Sequence, residues 1–204
     1  MPWRTAILGA VLLCGAAVAS GASPEDASKQ AARLAADVCS ACHRPANKAS
    51  EPLVPVLDGQ HEAYLVWQMR AYHLAFRDDP QAHDKMWTPA SGLEDAVVNA
   101  LAAYYAALPP QPGVPGDAAL VARGKSLYEN GLASSSVADC SACHGARAEG
   151  EGMFPRLAGQ RADYLVREIS LIQLHLRNVG IMHSTVEGLS DDDIRALAAY
   201  LQSL

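Results

Sequence analysis

The sequence predicts an all-α protein made of two tandem domains joined by a proline-rich linker. Three observations predict it. Helix caps and apolar residues at helical spacing recur along the chain, with no alternating strand pattern. Five sequence elements appear twice in the same order. The two copies are separated by a run of prolines that no helix can cross. The boundaries that follow are residues 23–108 for the first domain, 109–116 for the linker and 117–204 for the second domain, with residues 1–22 standing apart.

Residues 1–22 read as a secretory signal peptide. Arg4 supplies a basic start, Ala6 to Ala19 is apolar and uncharged, and both Ala17-Val18-Ala19 and Ser20-Gly21-Ala22 offer small-residue cleavage sites. The run is short for a membrane span, an uncleaved anchor being the competing reading. Cys14 hints at a lipid-modified signal, but Leu13 is too large for the position before it. An exported protein, soluble or attached only to a membrane surface, is therefore expected. The formal net charge is -6 and there is no basic stripe, which argues against a nucleic-acid partner. Half the residues are hydrophobic but only 6% are aromatic, so core volume must come from Ala, Leu and Val or from a bulky cofactor.

The duplication is explicit. Cys39-Ser40-Ala41-Cys42-His43 recurs as Cys140-Ser141-Ala142-Cys143-His144, and Pro55-Val56-Leu57-Asp58-Gly59-Gln60 as Pro155-Arg156-Leu157-Ala158-Gly159-Gln160. Tyr64-Leu65-Val66 returns at Tyr164-Leu165-Val166. Met86 stands seven residues before Leu93, as Met182 does before Leu189, and Ala-Ala-Tyr closes both copies at Tyr104 and Tyr200. Between the copies, Pro109, Pro110, Pro112 and Pro115 make a short, stiff linker.

Each copy reads as mostly helical. Ser23 caps a first helix with Pro24 at its first position. Asp117 caps the corresponding helix, which Gly131 ends. Middle helices follow Gly59-Gln60 and Gly159-Gln160. The last helices carry Val97, Val98, Leu101, Tyr104, Tyr105 and Leu108, or Ile194, Leu197, Tyr200, Leu201 and Leu204, on one face. Ser190 caps the final helix, and the three aspartates after it suit the positive end of the helix dipole.

Cys-x-x-Cys-His is the attachment signature for c-type haem. Two thiols three residues apart on one turn add to the two vinyl groups of one porphyrin, and the next residue aims its imidazole at the iron. Cys39, Cys42, Cys140 and Cys143 are thus the covalent anchors, with His43 and His144 as axial ligands, and Cys14 leaves with the signal. Two haem c groups per chain are expected. A zinc site would lack a fourth ligand in each cluster. A redox dithiol needs a strand–helix context that is absent. A disulfide inside each Cys-x-x-Cys is the remaining alternative.

For the sixth ligand, Met86 and Met182 occupy matched positions just before the last helix, in segments with few helical signals where a loop would wrap the haem edge. A thioether opposite histidine raises the potential, as electron carriers need. Met69, Met153, His61, His73 and His175 compete, and His83 and His183 are the serious rivals because they adjoin the two methionines. Pro55 and Pro155 follow the motif histidines by 12 and 11 residues. Each is placed to offer its carbonyl to the second imidazole nitrogen, or simply to make a turn. Gly59 and Gly159 read as tight turns. Tyr64, Trp67, Tyr164 and Trp87 read as packing rather than redox relays.

With these residues in view, the chain resembles the dihaem cytochrome c4 family over nearly all of residues 23–204. The resemblance rests on the paired Cys-x-x-Cys-His motifs, the Pro-x-Leu-x-Gly-Gln segments followed by Tyr-Leu, the Met-to-Leu spacing and the Ala-Ala-Tyr helices. It implies two class I cytochrome c domains related by a pseudo-twofold axis. It also implies His/Met ligation at both irons (His43 with Met86, His144 with Met182) and a periplasmic monomer. Its transient redox partners would be a quinol-oxidising complex and a terminal oxidase of a respiratory chain. Three features depart from the pattern. Ala32 stands where a glycine often lets terminal helices cross, a role Gly124 fills in the second copy. Leu132 to Ala138 is an insertion, and His83-Asp84-Lys85-Met86-Trp87 is unusual around a ligand. Six-coordinate irons imply a carrier rather than an enzyme. A dihaem peroxidase, a thiosulfate-oxidising cytochrome and an electron-accepting subunit of a dehydrogenase are the alternatives.

Overall fold

The computed structural model describes residues 23–43, 52–77 and 79–204. The expected signal peptide lies outside the described residues. Helices α1 (Pro24–Asp37), α2 (Glu62–His73), α3 (Trp87–Ser91) and α4 (Asp95–Ala107) precede the linker. Helices α5 (Ala118–Asn130), α6 (Ser141–His144), α7 (Ala162–Gln173), α8 (Met182–Val186) and α9 (Asp191–Ser203) follow it. Among the described residues the only extended pairings are two isolated bridges, Leu132 with Val137 and Glu151 with Phe154. No helix among them is long and apolar enough to cross a membrane.

The expected caps hold. Ser23 Oγ accepts the Asp26 N–H, and Asp117 accepts those of Ala119 and Leu120, so orphan donors of each first turn are satisfied. At α9, Ser190 Oγ accepts the Asp193 N–H while the Asp193 carboxylate accepts the Ser190 N–H at 3.0 Å. Arg123 then reaches the same carboxylate at 2.7 Å, tying α5 to α9.

In each domain the first and last helices cross. In the first, Ala27, Ala31 and Ala35 lie on one buried stripe of α1 and pack on Val97, Leu101 and Ala102 of α4. Ala31, 1% exposed, occupies the crossing; Ala32 is exposed. The expectation for Ala32 was one residue out of register, a rotation of about 100° around a helix. In the second domain the crossing is tighter. A Cβ built on Gly124 would stand 2.0 Å from the Ala196 carbonyl oxygen. Gly124→Ala is expected to destabilise the protein by about 3 kcal/mol, the upper range for overpacking, read as a lower denaturation midpoint. The insertion after α5 closes on itself through Leu132 and Val137, and Ser135 seats against Gly188.

The linker lies on both domains. Val114 N–H bonds Gln202 O at 2.9 Å, and Gln111 bonds Asp58 at 2.7 Å. Gly59 and Gly159 have φ of 69° and 74° and donate to Tyr105 O and Leu201 O, so each turn is anchored to its own domain's last helix.

Two polar systems join the domains. Gln60 donates to Arg156 O at 3.0 Å and accepts from Arg156 N at 2.8 Å. Gln160 does the same with Val56, at 3.0 and 2.9 Å. These paired clasps are reciprocal, each copy's glutamine holding the residue after the other copy's proline. Beside them, Arg77 of the first domain pairs with Glu168 of the second at 2.8 Å and with its own Asp79 at 3.0 Å. Arg177 and Arg167 also pair with Glu168, and Arg177 donates to Tyr64 at 3.0 Å.

Candidate functional site

The first motif winds one turn beyond α1. Cys39–Ala41 is a short 3-10 turn, and His43 N bonds Cys39 O at 2.9 Å. The second is α6 itself, with Cys140 as N-cap, His144 N bonded to Cys140 O at 3.0 Å, and Gly145 at φ 80° ending the turn. Both arrangements set the two sulfurs three residues apart on a single turn. No disulfide joins Cys39 to Cys42 or Cys140 to Cys143. Burial pushes the Cys39 thiol up, against the neighbouring Tyr105 hydroxyl. Burial and then Asp139 push Cys140 to about 11. A redox dithiol depends on the opposite shift, towards the thiolate.

The two imidazoles are held alike. His43 Nδ1 lies 2.9 Å from Pro55 O and His144 Nδ1 lies 3.1 Å from Pro155 O. A carbonyl only accepts, so Nδ1 carries the proton and Nε2 keeps its lone pair. Burial holds both rings below the usual histidine range, against these hydrogen bonds, which keeps them neutral. A neutral imidazole with its Nδ1–H on a carbonyl and a free Nε2 is the form that binds a metal. With two thiols on the preceding turn, the donor set fits haem c at both motifs.

Met86 ends a π-helical turn, Ala82–Met86, that leads straight into α3, and Met182 opens α8. Both are half-buried, in helical turns rather than the loop expected of these segments. The signals were weak because each helix is five residues long and packed on a neighbour, α3 on α2 and α8 on α7. Met182 packs on the second domain's core cluster, as do Cys140 and Leu157. The π turn re-aims the chain at Met86 by one extra residue, a device frequent at functional sites.

The two rival histidines beside the methionines differ in their surroundings. His183 Nδ1 donates to Ile172 O at 2.8 Å while its Nε2 accepts from Val179 N at 3.3 Å, and the ring stacks on His175 at 4.2 Å. His83 is exposed, with Asp84 at 3.0 Å and the Trp87 ring edge-on at 4.5 Å. His61 bonds Glu149 O across the domain boundary at 2.8 Å. Trp87 donates to Arg77 O at 2.8 Å. Tyr64 is part of the interdomain charge system rather than simple packing.

Sequence reasoning missed Gln60 and Gln160, noted only as part of the repeated segment ahead of each middle helix, and the cluster around Glu168. The available signal for the glutamines was their recurrence beside the glycine in both copies. A cavity of about 420 Å³ between the domains, walled by Trp67, Ala71, Phe76, Arg77 and Arg177 among others, includes no residue of either motif. Shape alone does not point to the chemistry here.

Comparison with known proteins agrees with this geometry. The family model described as Cytochrome c matches residues 28–108 and again 121–204. Cytochrome c4 of Thiocapsa roseopersicina is 37% identical over 190 residues, covering 90% of this chain and 96% of the relative. A thiosulfate dehydrogenase electron acceptor of Thiomonas intermedia is 32% identical over 203 residues, covering 96% of this chain and 87% of the relative. Among solved structures, cytochrome c4 of Acidithiobacillus ferrooxidans superposes with a TM-score of 0.77 at 32% identity, covering 81% of this chain and 98% of that one.

Proposed function

The chain belongs to the dihaem cytochrome c4 family, an electron-transfer cytochrome with two haem c groups, and from this we propose a specific assignment of sites and partners. Cys39 and Cys42 tether the first haem and Cys140 and Cys143 the second. His43 and Met86, and His144 and Met182, are the axial ligands. The protein is exported to the periplasm, with residues 1–22 as its signal. There it carries single electrons from a quinol-oxidising complex to a terminal oxidase and performs no catalysis of its own. The carrying observation is the matched pair of imidazoles held through Nδ1 by Pro55 O and Pro155 O.

Bound haem supplies the reversible one-electron couple. The residues do the rest. The proline carbonyls fix the two rings and their tautomer. Burial keeps those rings neutral. The glutamine clasps and the Glu168 cluster hold the domains in one arrangement, so the distance between the two redox centres stays constant as electrons pass. His183, with both ring nitrogens committed, supports Met182 over itself as the sixth ligand.

The test is an optical spectrum with haem quantitation. Two haems per chain are expected, low-spin, with the weak near-infrared-edge band of methionine–iron ligation in the ferric form. Met86→Ala and Met182→Ala are each expected to remove roughly half of that band, one haem's share. A band that survives intact in either variant reassigns that ligand.

A second reading is favoured by the Thiomonas relative: acceptance of electrons from a thiosulfate-oxidising enzyme. Reduction by a thiosulfate dehydrogenase that outpaces reduction by a quinol-oxidising complex decides for it.

A further inference from the structure

We propose that Gln60 and Gln160 are crossed positioning residues, each setting the donor strength of the axial imidazole, and so the reduction potential, of the haem held by the opposite domain. The inference rests on the assignment of His43 and His144 as iron ligands.

The bonds run in series. Gln160, at the entrance to α7 in the second domain, accepts the Val56 N–H of the first domain at 2.9 Å. The Val56 N–H and the Pro55 carbonyl are the two ends of one peptide unit, and that carbonyl accepts the His43 Nδ1–H at 2.9 Å. The mirror series runs from Gln60 to the Arg156 N–H at 2.8 Å, and from the Pro155 carbonyl to His144 Nδ1 at 3.1 Å. The amide orientation is settled by its neighbours. Each Oε1 also accepts the N–H of the next residue, His61 or Arg161, at 3.0 Å. Each Nε2 donates to the clasped residue's carbonyl. Both glutamines are 6% exposed and Val56 is 5% exposed, so water does not compete at the Gln160–Val56 bonds, while those of Gln60 to Arg156 are part-buried.

Hydrogen bonds in series polarise one another, most strongly in a low-dielectric interior. A peptide whose N–H is accepted by an amide oxygen carries more negative charge on its own carbonyl. That carbonyl draws harder on the Nδ1 proton, and the imidazole becomes the richer donor at Nε2. A richer donor favours ferric iron. Each clasp therefore lowers the potential of the haem across the boundary, while the peptide behind its own domain's axial imidazole is held by the other glutamine.

The test uses the full chain loaded with both haems. Gln160→Leu removes both bonds to Val56 at similar side-chain size. The haem on Cys39 and Cys42 is expected to shift towards ferrous by about threefold at fixed ambient potential, or about 28 mV at 59 mV per tenfold for one electron. The haem on Cys140 and Cys143 stays at its native value. Gln60→Leu gives the reverse pattern. Gln160→Glu keeps the accepting oxygen and adds charge, so it moves the first haem's potential the other way, below native. Hyperfine-shifted proton NMR of the ferric protein tells the haems apart, and the His43 Nδ1 proton is expected to exchange faster with solvent in Gln160→Leu. Equal shifts of both potentials, as a loosened interface would give, overturn the proposal. So does a shift confined to the glutamine's own domain, or the same sign for Leu and Glu. A native spectrum without low-spin histidine-ligated iron would instead unseat the ligand assignment, before any glutamine variant is made.

Discussion

The Cys39→Ala/Cys42→Ala double variant is expected to carry one covalently bound haem where the native chain carries two, and to keep the second site's spectrum. The reason lies in how the two cores are divided. The second domain has its own buried cluster, built from Tyr128, Leu165, Ile194, Leu197 and Leu201 with Met182 and Cys140 at its edge. The first has a separate and smaller one, in which four of the eight buried residues are alanines. Burial of a side chain such as Leu or Ile contributes about 1.5–3 kcal/mol, so the second cluster can hold its domain without help from the first site. Intact mass and haem quantitation read the result. A chain still carrying two haems after loss of both sulfurs would refute thioether attachment at the first motif. His43→Ala separates tethering from ligation. Both haems remain by mass, and one of them loses its low-spin signature.

What the sequence made legible is what depends on near neighbours. The Cys-x-x-Cys-His turns, the caps at Ser23, Asp117 and Ser190, and the proline carbonyls behind His43 and His144 all act within a dozen residues, where spacing alone decides geometry. Ala32 was misplaced because a run of alanines has no periodicity to fix its face; only the approach of α4 distinguishes Ala31. Met86 and Met182 were legible as positions but not as helices, since five-residue helices are held by packing rather than propensity. Gln60, Gln160 and Glu168 were missed for a different reason. Their partners lie 96, 104 and 91 residues away, in the other copy, and no local pattern encodes a contact created by docking two domains.

That docking contact carries the largest stability effect expected outside the haem sites. Glu168 is 3% exposed and meets Arg77 from the first domain and Arg167 and Arg177 from its own. Glu168→Ala leaves Arg77 to Asp79 and Gln68, and leaves Arg177 with the neutral partners Tyr64 and Gln68. Stranding buried guanidinium groups in this way costs about 3–5 kcal/mol. For a chain of this size that lowers Tm by about 10–15 °C. The effect must depend on pH with a definite sign. Burial alone would raise the Glu168 carboxyl, but Arg177, Arg77 and Arg167 outweigh it and hold the group below the usual carboxylate range. A folded-state value below the unfolded one stabilises the protein fully above about pH 4.3, and the contribution is lost as pH falls through the folded value. Denaturant titrations at pH 7 and in acid should therefore show the gap between native and Glu168→Ala narrowing as the solution is acidified. Glu168→Gln, which keeps an accepting oxygen without the charge, should show at pH 7 most of the loss that the native protein suffers only in acid. A gap that stays constant into acid would mean that packing volume, not the carboxylate among three arginines, holds the domains together.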